Sequence, residues 1–356
     1  MFQPRLMRML LATYGLGTII ILLTLGIGQR LPAERIIFLS DRDGGVKLYA
    51  MDIGRGLIHR LNDAEIDWMY ALSFDRQHIL YRQAGGDHPT ILVMDFSGHN
   101  THVIIEQPVI SPAWSPDSQH ITFTMLDQDN HPTQIYRINA DGTDLKPLTN
   151  LPDDLQALAS FWSPDGRQIL FQVRAAQNKI SLYLMDTDGA DAHPFFIQGS
   201  FDALVSPAWS PDGRYIAFVG ESVNSAQAVA STLCVMEVAS AKAPCSDSNI
   251  YTQFSWSPDS TAIIFVATRG YNIYEMKILD VLTAQTRTIQ GYGKNMGVLS
   301  VGHPLWTPDG QRLIYEFSQN QNRGTQLHII NRDGSGERAL TSGAFTNILP
   351  IWWIGE

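Results

Sequence analysis

One short motif recurs along most of the chain and constrains the fold more than any other feature. Clear copies read PAWSPDSQHITF (112–123), FWSPDGRQILF (161–171), PAWSPDGRYIAF (207–218), SWSPDSTAIIF (255–265) and PLWTPDGQRLIY (304–315), and ALSFDRQHILY (71–81) is a degenerate copy with Leu72 in the Trp position. The Trp position recurs every 42 to 50 residues, at 72, 114, 162, 209, 256 and 306. This period is typical of the four-stranded blade of a β-propeller.

The residue types of the motif predict a tight hairpin turn followed by a strand. In Ser-Pro-Asp-Gly, Pro presets φ for the second turn position, Asp suits the third, and Gly accepts a positive φ at the fourth. The large apolar Trp side chains are expected to pack between neighbouring blades. We therefore expect structural roles for the Trp and Asp residues of the repeats: Trp114, Asp117, Trp162, Asp165, Trp209, Asp212, Trp256, Asp259, Trp306, Asp309 and Trp352.

The strands between the motif copies predict seven blades. Seven further strand segments can be counted: KLYAMD (47–52), ILVMDF (91–96), QIYRIN (134–139), SLYLMD (181–186), TLCVME (232–237), NIYEMK (272–277) and QLHIIN (326–331). The first preceding strand, RIIFLS (35–40), has no motif before it, whereas Pro350-Ile351-Trp352 repeats the Pro-x-Trp spacing with no strand after it. The last strand should therefore pair with RIIFLS and protect both edges.

These repeats resemble the WD40-like propeller repeats of the TolB C-terminal domain, over about residues 35–354. They are also similar to the propellers attached to prolyl-oligopeptidase-type and tricorn-type proteases. The resemblance implies an all-β propeller that binds partners. The TolB propeller has six blades and follows an α/β domain, so six blades is the alternative to the seven counted here.

The N-terminus differs from the repeats and predicts a membrane anchor. Met9 to Gly28 contains no charged residue, and as a helix it would span roughly 30 Å, the hydrocarbon thickness of a bilayer. The expected organisation is a cytoplasmic segment (1–8) with Arg5 and Arg8, a transmembrane signal anchor (9–28), a linker (29–34) and an extracytoplasmic propeller (35–356). The alternative is a cleaved signal peptide, which would release the propeller into the periplasm.

Little in the sequence points to catalysis, cofactors or nucleic acid. The chain carries 35 acidic against 25 basic residues, and no basic run follows residue 30. It has no G-x-S-x-G nucleophile elbow, and its ten His residues are scattered. Oligogalacturonate lyases are similar seven-bladed propellers that gather several His around a metal, but here only His303 stands at the start of a first strand. One imidazole does not make a catalytic metal site, so we expect no enzyme activity, metal or cofactor.

The two cysteines are candidates for a disulfide. Cys234 takes the strand position that Tyr183 holds in the preceding repeat, and Cys245 falls on the returning strand. With a turn centred on residues 239–240, the two residues face each other across the hairpin, close enough to be bonded. Two free thiols are the alternative. A disulfide agrees with an oxidising, extracytoplasmic compartment.

The two faces of the predicted propeller differ in their loops. The turn face carries the uniform Ser-Pro-Asp-Gly turns and the second hairpin turns, such as 139–144. The variable-loop face carries the other connections, which range from 268–271 to 220–231 and 291–302. Because variable loops on a rigid scaffold often carry recognition, we expect a protein or glycan partner in the cell envelope to bind there. A small-ligand sensor that uses the central channel is the competing hypothesis.

Overall fold

A computed structural model describes residues 34–83, 90–95, 98–195, 201–223, 229–240, 242–246, 249–269, 273–293, 298–319 and 324–354. The apolar run from Met9 to Gly28 lies outside these residues. Within them, no helix is long and apolar enough to span a membrane. They form 27 strands and one turn of 3-10 helix, Ala176–Asn178.

The strands follow the sequence repeats, with antiparallel neighbours in each repeat. Repeat 1 contains β1 (Glu34–Ser40), β2 (Lys47–Asp52), β3 (Leu57–Arg60) and β27 (Asn347–Ile354); repeat 2 contains β4 (Ile66–Leu72), β5 (His78–Gln83), β6 (Ile91–Asp95) and β7 (His102–Ile105). Repeat 3 contains β8 (Val109–Trp114), β9 (His120–Leu126), β10 (Pro132–Asn139) and β11 (Lys146–Pro147). Each of these repeats forms a separate four-stranded sheet.

The later repeats continue the pattern, with one exception. Repeat 4 contains β12 (Gln156–Trp162), β13 (Gln168–Arg174), β14 (Ile180–Asp186) and β15 (His193–Pro194); repeat 5 contains β16 (Ala203–Trp209), β17 (Tyr215–Val223) and β18 (Val229–Glu237). A single parallel pair, Ile180 with Ala203, joins these two repeats into one seven-stranded sheet. Repeat 6 contains β19 (Ile250–Trp256), β20 (Ala262–Thr268), β21 (Tyr274–Asp280) and β22 (Thr286–Tyr292); repeat 7 contains β23 (Val298–Trp306), β24 (Arg312–Gln319), β25 (Gln326–Asn331) and β26 (Arg338–Ala339).

The predicted pairing of the first and last strands is confirmed. β27 pairs antiparallel with β1, and Trp352 stands opposite Ile36. Asn347, which is fully buried, joins the two ends of the chain: its amide oxygen accepts hydrogen bonds from Ser40 Oγ (3.0 Å) and Arg42 Nη2 (2.7 Å), and its amide nitrogen donates to the carbonyl of Thr325 (3.0 Å). The first repeat is thus completed by the end of the chain.

One of the seven predicted strands was placed wrongly. In repeat 6 the strand runs over Tyr274–Asp280, so it begins two residues later and ends three residues later than the predicted segment 272–277. Its residues Lys277 to Asp280, and not Tyr274 to Lys277, correspond to Tyr49 to Asp52 of β2, because Lys277 pairs with Phe265 as Tyr49 pairs with Phe38. The prediction aligned the Tyr of NIYEMK with the Tyr of KLYAMD because both stand in an apolar segment. Only the pairing partner on the neighbouring strand distinguishes the two registers.

The core is built from one buried aromatic residue in the second strand of every repeat. These residues are Phe38, Tyr81, Phe123, Phe171, Phe218, Phe265 and Tyr315, and each is at most 1% exposed. Hydrophobic clusters lie between repeats as well as within them; one contains Phe38 and Tyr49 of repeat 1 with Ile314 and Leu327 of repeat 7. Burial of each ring stabilises the fold by about 1.5–3 kcal/mol.

Candidate functional site

The motif aspartates lie in the hairpin turns of the turn face and accept local hydrogen bonds. In repeat 4, Ser163 Oγ donates to Asp165 (2.7 Å), Asp165 accepts the backbone N–H of Arg167 (3.1 Å), and Ser163 Oγ accepts that of Gln168 (2.9 Å). The hydrogen bond from Ser163 holds the pKa of Asp165 below its ordinary value. The same bonds surround the other turn aspartates: Asp75, Asp117, Asp212, Asp259 and Asp309.

The motif tryptophans link neighbouring repeats. The indole N–H of Trp209 donates to the carbonyl of Phe161 (3.2 Å), the residue before Trp162 in the preceding repeat. Trp256 and Trp306 make the equivalent bonds to Ala208 (3.2 Å) and Ser255 (3.1 Å). Trp162 donates instead to the hydroxyl of the buried Thr122 (2.9 Å). Nε1 of Trp114 has no partner among the described residues, and the repeat before it is the degenerate one.

Three first-strand residues adopt an unusual backbone at β-bulges. Ser111, Ser206 and His303 have φ angles of 53°, 51° and 44° at equivalent places, three residues before a motif Trp. Such left-handed conformations cost energy in non-glycine residues. His303 is paired with Glu316 (Nδ1 to Oε2, 2.9 Å). Across the described part of the chain, no three His, Cys, Asp or Glu side chains lie close enough together to share a metal ion.

The two cysteines and the two histidines of the His-x-x-His segment make bonds within the protein. Cys234 and Cys245 are joined by a disulfide, with their Cα atoms 4.0 Å apart. They face each other as an isolated antiparallel pair, as the hairpin geometry predicted. His99 donates its backbone N–H to Asp95 (2.8 Å), whereas Nε2 of His102 lies 2.9 Å from the carbonyl of Ala140 in the next repeat.

The variable-loop face exposes two large apolar side chains near the junction of the chain ends. Trp68 is 42% exposed near the start of β4, and Phe345 is 41% exposed in the connection that leads to β27. Between them lies the connection from β1 to β2, where Asp41 accepts the backbone N–H of Thr346 (2.8 Å). Exposed aromatic residues of this kind are enriched at protein–protein contacts.

The structure also contains a polar network, in which two buried tyrosines meet a partly exposed glutamate, that the sequence did not predict. Glu337 accepts hydrogen bonds from Tyr292 (2.9 Å), Tyr315 (2.6 Å) and Gln290 (3.0 Å), and Nδ1 of His328 lies 3.3 Å from it. The bond from His328, together with those from the tyrosines, lowers the pKa of Glu337 to about 2. Comparison of the repeats could have marked His328, because the equivalent position of the third strand holds Tyr in repeats 1, 3 and 4.

Comparisons with known proteins agree with this architecture. Residues 172–354 match the family model of the TolB beta propeller domain. The protein TolB homolog of Chlorobium chlorochromatii is 26% identical over 140 residues, which are 39% of this chain and 31% of that protein. The matched segment thus spans less than a third of the length of that relative.

Two solved structures share the fold at low sequence identity. TolB from Acinetobacter baumannii superposes with a TM-score of 0.53 and 19% identity, over 87% of this chain and 79% of its own. An oligogalacturonate lyase in complex with manganese superposes with a TM-score of 0.62 and 12% identity, over 88% of this chain and 86% of its own. Both likenesses concern the fold alone. Since the family model covers just over half of the residues, this chain belongs to the TolB beta propeller domain family.

Proposed function

We propose that this protein is a non-enzymatic, seven-bladed propeller that is anchored in a membrane and binds a protein partner of the cell envelope through its variable-loop face. The blade number rests on the seven equivalent buried aromatic residues, one for each repeat. Repeats 4 and 5 count as two blades, since only one parallel pair joins their strands.

The observation that carries the binding surface is the exposure of Trp68 and Phe345 on one face. Aromatic side chains that remain 42% and 41% exposed beside ordered backbone can enter a partner's pocket without a large loss of conformational entropy. The direct hydrogen bonds between Asp41 and Thr346 hold the intervening connection in place. A partner surface at this junction would contact repeats 1, 2 and 7 together.

The orientation at the membrane, given the apolar run as anchor, is supported by the position of Glu34. Its carbonyl accepts the N–H of Ile53 (3.0 Å), and its carboxylate is paired with Arg312 (2.7 Å), both residues of the turn face. Residues 29–34, the linker after the apolar run, can reach at most about 20 Å. The turn face would then lie near the bilayer, with the variable-loop face directed away from it.

The binding surface can be tested with one variant on each face. We expect Trp68→Asp to reduce capture of the partner from envelope extract at least tenfold, because a charge replaces an aromatic anchor. Leu282→Asp is the control, since Leu282 is 79% exposed but lies in a hairpin turn of the turn face. The bait is the full-length protein in detergent. Quantitative mass spectrometry compares the amount of partner that the wild type and each variant capture. Loss of capture with Leu282→Asp alone, or with neither variant, would contradict the proposed surface.

A further inference from the structure

A cleft opens on the variable-loop face beside β24 and β25 of repeat 7. It has a volume of about 510 Å³ and is lined by Phe317, Gln319, Gln326, His328, Thr341 and Ser342, with small residues between them. This volume lies in the range of small-molecule sites. No Lys, Arg, Asp or Glu side chain is among the described residues that line it.

His328 is the feature that distinguishes this cleft from the same place in other repeats. The position opposite the buried second-strand aromatic residue holds Tyr in repeats 1, 3 and 4 and Leu in repeat 2. In repeat 7 the pair is Tyr315 and His328, and the His ring also packs against Phe317 with the ring centroids 4.5 Å apart. The imidazole is therefore held between aromatic rings, in a repeat that could fold with an apolar residue there.

Hydrogen bonding determines which nitrogen of His328 is available to a ligand. Nδ1 faces Glu337 at 3.3 Å, and the ionised carboxylate can only accept hydrogen bonds, so Nδ1 carries a proton. In the neutral ring Nε2 is then the acceptor. Nε2 has no protein partner within the described ranges, and the His328 side chain is 16% exposed. Glu337, which already accepts bonds from two tyrosines and Gln290, acts on the cleft only through the imidazole.

Two neighbouring polar side chains, Gln326 and Thr341, are hydrogen-bonded within the protein and hold the cleft in shape. The amide nitrogen of Gln326 donates to the carbonyls of Gly343 (3.1 Å) and Phe345 (2.9 Å). Its amide oxygen accepts the hydroxyl of Thr341 (2.9 Å), which in turn accepts the N–H of Leu327 (2.9 Å). These bonds orient the walls without using Nε2 of His328. A ligand would meet a preformed acceptor and would not have to break them.

We propose that this cleft binds an uncharged, hydroxyl-bearing ligand of the size of a saccharide unit, with Nε2 of His328 accepting a hydroxyl hydrogen bond and Phe317 supporting an apolar ligand face. An anion would find no basic side chain among the described lining residues. An ammonium group would find no carboxylate in the lining, because Glu337 lies behind the imidazole. A neutral polyol satisfies the acceptor without needing a counter-ion. The cleft shares Gly343 and Ala344 with the connection that carries Phe345, but its lining does not include Trp68, and the saccharide test does not depend on a protein partner.

The test is ligand-observed saturation-transfer NMR on the full-length protein in detergent, with glucose, N-acetylglucosamine and cellobiose as probes. Inorganic phosphate and ethylammonium are added as competitors, to see whether either displaces a bound saccharide. His328→Tyr and His328→Leu introduce residues that other repeats carry at this position, so we expect both to fold, which thermal melting checks. His131→Tyr is the control, because His131 is 64% exposed in another loop of the same face.

We expect at least one saccharide to bind the wild-type protein and the His131→Tyr protein with equal dissociation constants. The dissociation constant should rise at least tenfold in both His328 variants. The proposal is overturned if no saccharide binds, if phosphate or ethylammonium displaces it, or if both folded His328 variants bind as tightly as wild type. Capture of the protein partner in the Trp68 experiment should be unaffected by His328→Tyr.

Discussion

At the scale of single residues, one buried hydroxyl group, that of Thr122, joins repeats 3 and 4. Thr122 is fully buried, accepts hydrogen bonds from Trp162 Nε1 (2.9 Å) and Ser160 Oγ (2.9 Å), and donates to the carbonyl of Ala113 (3.4 Å). In repeats 4, 5 and 6 the Trp of the following repeat donates directly to a backbone carbonyl. Here the hydroxyl of Thr122 lies between Trp162 and the equivalent carbonyl, that of Ala113. One hydroxyl accepts hydrogen bonds from two donors of the following repeat, so its removal should destabilise the contact between repeats 3 and 4.

Thr122→Val should lower the free energy of unfolding by about 2–4 kcal/mol, because it leaves a buried indole N–H and a buried serine hydroxyl without partners. Thr124→Val is the matched control: Thr124 is equally buried in the same strand, but its hydroxyl has no partner among the described residues. That variant should be neutral or slightly stabilising. Denaturant unfolding measures both, and equal effects would contradict the role of Thr122.

Glu337 should make the stability depend on pH. Its pKa in the folded protein is lowered to about 2 from an ordinary value of 4.5, first of all by the bond from His328. Its contribution is therefore complete above about pH 5 and is lost as the pH falls towards 2. Glu337→Gln should cost roughly 1–2 kcal/mol at pH 7, and the difference from wild type should shrink between pH 5 and 2. A difference that stays constant over this range would show that the charge is not the cause.

At the scale of elements, the fourth strands of repeats 3, 4 and 7 have only two residues each, and in repeats 3 and 7 they are supplemented by other bonds. In repeat 3, Thr149 Oγ1 accepts the N–H of Ile135 (2.9 Å) and donates to Gln134 (2.7 Å), as Thr341 does in repeat 7. In repeat 5 no fourth strand is present among the described residues. The segment around Cys245 is held there by the disulfide and by backbone bonds such as Val235 to Pro244 (3.1 Å).

Replacing both cysteines by Ser should destabilise the protein by about 3 kcal/mol, the loop-closure value for a crosslink that spans 11 residues. Cys234 is fully buried, so the Cys234→Ser change adds a buried hydroxyl, and Cys234→Ala with Cys245→Ser serves as the control. Melting under reducing and oxidising conditions measures the effect.

Titration of denatured, unreduced protein from its native compartment should find no free thiol. Two titratable thiols would contradict both the bond and the extracytoplasmic location.

At the scale of the whole molecule, the chain ends hold the array of repeats together. β27 pairs with β1, and the bonds of Asn347 to Ser40, Arg42 and Thr325 connect the first and last repeats. β27 thereby covers the edge of β1 that β2 does not cover and that would otherwise be exposed. Stability should therefore depend on the last strand more than on any strand of similar length on an outer edge.

Deletion of residues 346–356 should leave β1 paired only with β2, with its other edge exposed, and should cause aggregation or unfolding. Asn347→Leu should have a smaller effect of about 2–4 kcal/mol, because it removes the partners of buried or half-buried polar groups without removing the strand. Deletion of residues 355–356 alone is the control and should be neutral. Size-exclusion chromatography and thermal melting measure all three. A monomeric 346–356 deletion with unchanged melting temperature would refute closure by β27.

The proposed orientation at the membrane predicts a difference in labelling between the two faces. Single cysteines replacing Arg167 and Gln311, in hairpin turns of the turn face, should react more slowly with a bulky impermeant reagent in intact membranes than in detergent. Cysteines replacing Glu106 and Asp153, in connections of the variable-loop face, should react equally in both. The opposite order would overturn the orientation. No contrast at either face would indicate a released propeller, as expected if the apolar run is cleaved.

The sequence alone determined the repeat, its all-β class and the pairing of the chain ends. Turn chemistry is local: Pro, Asp and Gly set their backbone conformations wherever they stand, so copies such as 163–166 could be recognised without a partner. The disulfide pairing was predictable for the same reason, since Cys234 and Cys245 lie on one short hairpin. The register of β21 was not predictable, because apolar alternation fits two registers and only the pairing of Lys277 with Phe265 separates them.

Only the tertiary structure brought distant residues into contact. Glu337 meets Tyr292 from a different repeat, and Asn347 meets Ser40 from the other end of the chain. No local pattern marks such partners, because side-chain hydrogen bonds between repeats depend on how the sheets pack and not on spacing along the chain. The cleft at His328 lies within repeat 7, where three consecutive strands and the connection after them come together only through folding of the sheet. Local backbone preferences therefore determine the repeat, whereas packing within and between repeats creates the sites that distinguish one repeat from another.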